Sequence, residues 1–257
     1  MKSKILFLIC ICLVNYTYAQ TDLFTFVKNI DWQANESNFV YKFHNYVTPL
    51  SEQDVWEEEG TECNYSLKGI SVNGIKIEES YLRVRRDNKQ LFRIIFIALD
   101  NETDLSKKVK LEESLIKQLG TPIKTGNDLL WIYDKYKINA TTLDLSSVVT
   151  NEIEKYMYAI KVEPIQTYYV NYSAAKIESN NANKKTPNIE YFRIDNDRNI
   201  YIKEKEMDVI IKRVTKVFPS PKGEILSYDD GMFCYRKDSY DIVYIEQGLA
   251  VTYPIIK

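Results

Sequence analysis

The stretch MDVIIKRVTKVFPSPKGEILSYDDGMFCYRKDSYDIVYIEQGLAVTYPII, residues 207–256, holds the pattern from which a fold can be read. Met207, Ile210, Ile211, Val214, Val217 and Phe218 recur at helical spacing, and Pro219-Ser220-Pro221 ends the run, so the spacing predicts an amphipathic helix. Strands are expected over 224–228, 232–236, 240–246 and 249–255. The turns between them are Asp229-Asp230-Gly231, Lys237-Asp238-Ser239 and Gln247-Gly248. A meander is apolar on one face, and the preceding helix is the natural cover for it.

The same order recurs upstream. Asn35 or Ser37 caps a helix whose apolar positions are Phe39, Val40, Phe43 and Val47, with Pro49 as its stop. Strands over 67–72 and 75–85 flank Asn73-Gly74, a two-residue hairpin signal because both positions need positive φ. Ile75 and Ile77 are odd-numbered while Leu82 and Val84 are even, and this change of parity near 78–80 predicts a β-bulge. Asp87-Asn88-Lys89 turns the chain into LFRIIFIAL, 91–99, which is apolar enough for a central strand. In the next unit Leu111, Leu115, Ile116 and Leu119 mark a helix, with Gly120 just past its end and Pro122 beyond. Strands are expected there over 129–133, 141–145 and 156–162. The segment ESNNANKKTPN, 178–188, is polar and without apolar period.

These readings give an α+β protein built from helix-plus-antiparallel-meander units (α-β-β-β type), three of them in two subdomains. Residues 20–165 form an α+β domain with two units, 166–188 a polar linker, and 189–257 a C-terminal domain with one. The layout resembles those of β-lactamase inhibitory proteins and of small outer-membrane assembly factors. No motif residue of either group is carried over to this chain.

Residues 1–19 are expected to be a signal peptide. Lys2 and Lys4 form a basic start, 5–14 (ILFLICICLV) is an apolar run too short to span a bilayer, and Thr17 and Ala19 occupy the small positions before a cleavage site at Gln20. Ile9 and Ile11 precede Cys10 and Cys12 where lipid attachment needs a small residue, so a lipoprotein is not expected. The protein is read as exported, periplasmic or secreted. Loss of Lys2 and Lys4 leaves 32 basic against 36 acidic residues, net −4 where the whole chain carries −2. That balance offers no field for nucleic acid, and no later run is long enough for a membrane span.

Composition removes whole chemistries. A single histidine, His44, and no HExxH, CxxC pair or GxSxG leave neither a metal site nor a nucleophile–base set. Eight glycines without a glycine-rich loop before a helix leave no phosphate cradle, and no cofactor is expected. Twenty tyrosines and ten phenylalanines suit a strand-rich chain. Cys63 and Cys234 either form one disulfide, as an oxidising compartment allows, or remain unpaired.

Two patches stand out. SEQDVWEEEGTE, 51–62, is an acidic stretch without a basic residue, in which Trp56 among Glu57, Glu58 and Glu59 has the make-up of an anchor for a basic protein partner. Its plainer reading is a solvated acidic loop. Arg83 and Arg85 alternate on one strand face, with Arg86 and Arg93 nearby. They are read as a grip for a carboxylate or phosphate, as the wet face of a half-buried sheet, or as facing the acidic stretch within the fold. Tyr156, Tyr158, Tyr168, Tyr169, Tyr235, Tyr240 and Tyr244 are read as strand residues packing in cross-strand pairs, with stacking on sugar faces as the other chemistry such rings offer.

The function expected from these residues is a non-catalytic binding or interaction protein of the cell envelope, of inhibitor or immunity type. The alternative is a carboxylate-dependent hydrolase of envelope glycans, drawing on acids from separate elements such as Asp31, Glu79 or Asp144.

Overall fold

The computed structural model describes residues 21–58, 60–77, 79–102, 105–144, 156–181, 183–221 and 223–256. The expected signal peptide and Glu59 lie outside them, as do the side chains of Trp56, Glu58 and Asp144. The chain divides into an N-terminal unit, which runs to Ile132 and resumes over Lys137–Glu163, and a C-terminal unit made of Tyr133–Tyr136 and the chain from Pro164 onward.

In the N-terminal unit the elements are β1 (Thr21–Asp22), α1 (Leu23–Lys28), α2 (Glu36–Lys42), β2 (Val47–Pro49), β3 (Trp56–Glu58), β4 (Thr61–Leu67), β5 (Ile70–Val72), β6 (Ile75–Lys76), β7 (Glu79–Arg85), β8 (Leu91–Glu102), α3 (Leu105–Leu119), β9 (Ile123–Thr125), β10 (Asp128–Ile132), β11 (Tyr136–Asp144) and the first half of β12 (Tyr156–Tyr169). One large sheet runs in the order β2-β4-β7-β8-β12-β11-β10-β9, with β3 also on β4, while β1, β5 and β6 form a small separate sheet. Asn35 caps α2, its side chain accepting from Asn38 N. Phe26 of α1 meets Phe39 and Phe43 of the α2 segment and Phe96 of β8 at centroid distances of 6.3, 4.8 and 6.4 Å, and this aromatic cluster seats both short helices on the sheet. Leu111 and Leu115 of α3 are fully buried, and Gly120, at φ 84°, ends that helix by donating to Ile116 O.

The C-terminal unit has no α-helix among its described residues. The second half of β12 pairs with β14 (Ile189–Asp195), then β15 (Ile200–Glu204) and β16 (Ile210–Lys212). A second sheet runs in the order β13-β21-β20-β19-β18-β17, from β13 (Lys176–Asn180), β17 (Lys216–Ser220), β18 (Gly223–Tyr228), β19 (Gly231–Arg236), β20 (Asp241–Glu246) and β21 (Leu249–Pro254). Phe192 and Ile202 of the first sheet share one core with Phe233, Tyr244, Val251 and Tyr253 of the second. The unit is therefore two sheets packed face to face.

Three sequence expectations need correction. The α+β helix-plus-meander class gives way to a mostly β protein, with twenty-one strands and three α-helices among the described residues. The likeness to helix-on-meander layouts goes with it. The decisive error lies at 207–218, where the expected helix is the edge strand β16, a short crossing and the edge strand β17. Ile210 and Val217 pack on the core while their neighbours Ile211 and Phe218 face outward, so adjacent apolar pairs on two strands imitate a wide helical stripe. Near 78–80 the parity change marks a change of sheet: the chain leaves β6 in the small sheet and enters the large one as β7. Finally, 51–62 is no open loop, because Trp56–Glu58 is a strand paired with β4.

A buried charge closes the N-terminal unit. Glu163 is 1% exposed and meets Arg93 of β8 and Lys137 of β11, each at 2.6 Å. Removing its charge leaves two cations with little water around them. Glu163→Gln is expected to lower the unfolding free energy by about 3 kcal/mol. All three tryptophans (Trp32, Trp56 and Trp131) belong to this unit, so indole fluorescence during denaturation reads it selectively. An unchanged midpoint would show that the pairs contribute nothing.

Candidate functional site

The acidic stretch and the arginines meet through backbone register. Trp56 pairs with Cys63, Cys63 with Arg83, and Arg83 with Arg93, a single row across β3, β4, β7 and β8. Glu58 lies two rows on, with Thr61 and Arg85. Between Arg83 and Val84 the register shifts by one residue on β8, so Phe92 is extra, as in a β-bulge. The Phe92 ring lies between 5.2 and 5.6 Å from the guanidinium carbons of Arg83, Arg85 and Arg93. Arg83 is buried and donates to Thr61 Oγ1 at 2.6 Å. Glu57 is ion-paired with Arg86, and Glu62 with Lys89. Glu57 and Glu62 belong to the row between those of Trp56 and Glu58, and each holds a cation of its own unit.

Cys63 and Cys234 are free thiols. Cys63 is fully buried, and burial pushes its thiol up to about 11; Cys234, half-buried in β19, is raised for the same reason. His44 is exposed, its Nδ1 against Tyr41 O at 3.1 Å. Asp31 accepts from Gln33 N and Glu79 from the Tyr81 hydroxyl, so these two acids make local, exposed contacts.

The C-terminal unit holds a cleft of about 590 Å³. Tyr168 and Phe192 are paired core residues, and the pair Gln166 and Ile194 lies two residues further along the same ladder. On the other sheet Leu226 and Phe233 are paired core residues, with Glu224 and Tyr235 two positions outward. A period of two puts each pair on the inner face, so the cleft is the mouth of the sandwich, where the core runs out. Tyr168 and Tyr235 come together across it, ring centroids 4.7 Å apart and planes 40° apart. Burial and the neighbouring Tyr235 raise the Tyr168 pKa, so its hydroxyl is neutral at pH 7.

Turns supply the rim. The Asp195 carboxylate accepts from Asn199 N, Asn199 Nδ2 and the Tyr201 hydroxyl, fixing a tight turn in which Arg198 takes φ 62°. Arg198 reaches Glu224 at 3.1 Å. Pro219, Ser220 and Pro221 form one wall, with Lys237 and Asp238 beyond. Gly223 is required here, since a Cβ would lie 2.3 Å from the Tyr235 carbonyl oxygen and φ is 143°. Sequence reasoning named Tyr168 and Tyr235 as aromatic candidates but missed the cleft. Its walls come from 166–168, 194–198 and 219–238, and only pairing of the two sheets joins them.

Glu62 offers a pH test of the charged face. The Lys89 hydrogen bond holds its carboxyl below the ordinary value of 4.5, helped by Asn64 and opposed by burial. A lowered folded pKa stabilises the fold above pH 4.5 and loses that contribution as pH falls through the lowered value. Glu62→Gln is expected to cost about 1 kcal/mol at pH 7, since water still reaches Lys89, and the gap should close on acidification. A thermal-melt gap that persists near pH 3 would contradict this assignment. Among the described residues no helix is long and apolar enough to cross a membrane. Comparison with family models, curated proteins and solved structures gives no match for this chain.

Proposed function

We propose that this chain is an exported, non-catalytic binding protein of the cell envelope whose ligand enters the mouth of the C-terminal sandwich. The observation that carries the reading is the cleft itself: its size suits a small ligand, and its lining joins an aromatic pair to a few polar groups. Export is supported by the basic start, short apolar run and small residues of 1–19. Against catalysis stands the state of the acids. Glu224 is largely solvated and paired with Arg198. Among the described residues the carboxyl raised by burial, and by the charge of Glu246, is Glu204, which is not part of the cleft lining. The Trp56 segment is the weaker contact surface, since Glu57 and Glu62 already hold cations of their own unit.

The test is affinity capture from native envelope extract, with the chain from Gln20 onward as bait and Tyr235→Ala and Trp56→Ala as parallel baits. Mass spectrometry of the flow-through follows any new low-mass product. The expected result is a species retained by the wild type and by Trp56→Ala, lost with Tyr235→Ala, and no product accumulating over hours. Product formed in proportion to protein would replace the binding reading with the hydrolase. Capture lost only with Trp56→Ala would move the contact to the N-terminal unit.

A further inference from the structure

We infer that the cleft lined by the packed pair Tyr168 and Tyr235 is a carbohydrate site for a neutral oligosaccharide of about two or three residues, the scale set by its volume. This rests on the reading of the cleft as the ligand site.

Three features of the lining select that chemistry. The first is the ring pair. Tyr235 is half-buried at the mouth and backed by the deeper Tyr168, so its orientation is fixed before any ligand arrives. A sugar ring offers an apolar C–H face to such a surface, and the low rotamer cost of tyrosine suits stacking. Pro219 and Pro221 add rigid apolar wall.

The second feature is charge balance. Arg198 and Lys237 are matched by Glu224 and Asp238, and Arg198 and Glu224 are ion-paired. A phosphate or carboxylate drawn to Arg198 or Lys237 would meet the like charges of Glu224 and Asp238 in the same lining, and a cation would meet the two basic groups. Hydroxyl groups face no such conflict. Each can accept from a guanidinium or ammonium and donate to a carboxylate in one contact, and the Gln166 amide offers both roles.

The third feature is the boundary of the apolar lining. Ile194, Leu226 and Phe233 lie at the base, while the polar groups occupy the rim. An apolar ligand would strip water from the rim groups and return no hydrogen bond in exchange. A ligand with an apolar face and a polar circumference satisfies both.

Isothermal titration of the chain from Gln20 onward with maltotriose, cellotriose and chitotriose is the test, with trigalacturonate as an anionic comparison. At least one neutral trisaccharide is expected to bind. Tyr235→Ala should weaken it tenfold or more, Tyr235→Phe should stay within about twofold because the ring remains, and Trp56→Ala should leave it unchanged. Arg198→Ala, at a solvated position, should weaken binding several-fold and guards against a folding defect in the tyrosine variant, which circular dichroism also checks. Tighter binding of trigalacturonate than of every neutral sugar would overturn the charge-balance argument. Silence of all four sugars, with extract capture still dependent on Tyr235, would remove the carbohydrate assignment and keep the cleft as a binding site. Silence together with capture indifferent to Tyr235 would remove both.

Discussion

Strand β12 pairs with β8, β11 and β14, and the chemistry at its middle decides where the β8 ladder gives way to the β14 ladder. Its pairing with β8 ends at Val162 and its pairing with β14 begins at Ile165. Pro164 lies between, where a residue with no N–H does least harm, because neither ladder asks it to donate. Glu163, beside it, is fixed by Arg93 and Lys137, so the first ladder ends at an ion cluster. The second ladder then sets which tyrosine turns inward. In the observed register Tyr168 enters the core, while Tyr169 faces solvent and donates to Asp134. A slip of one residue would exchange them and remove the aromatic base of the cleft.

Charge is used differently in the two places where it gathers. Along β3, β4, β7 and β8, Glu57 is paired with Arg86 and Glu62 with Lys89, while Phe92 is surrounded by the guanidinium groups of the flanking rows. At the mouth of the sandwich the Arg198–Glu224 pair is solvated, so water or a ligand hydroxyl exchanges there at small cost.

Features fixed by neighbours in the chain were legible in the sequence. Asn73-Gly74 forms the hairpin between β5 and β6 with both residues at positive φ, and the four C-terminal strands lie within a residue or two of the expected ranges. Asn35 bounds its helix through its side chain and Gly120 through its positive φ, although α2 stops at Lys42 and Val47 begins a strand. What depends on sheet membership was not legible. Residues 207–218 read as a helix because period alone does not tell that β16 and β17 belong to different sheets. The parity break at 78–80 is equally compatible with a bulge and with a change of sheet. That the acidic stretch and the arginines face each other was one sequence reading, but the row shared by Trp56 and Arg83 shows only in the register.

The edges of the six-stranded sheet bear on where recognition occurs. An exposed edge is a template for an incoming strand, and proteins block it with proline, charge or bulges. Here β17 carries Pro219 and begins at the exposed Lys216, while β13 carries Lys176 and Glu178 and breaks register between Ile177 and Ser179. Both edges are poor partners for strand addition. In the binding reading proposed above, the contact is made by side chains at the mouth of the sandwich and not by strand addition to this sheet. There Gly223 lets β18 lie close against the Tyr235 backbone, and the ring above it is held by packing and not by the ligand.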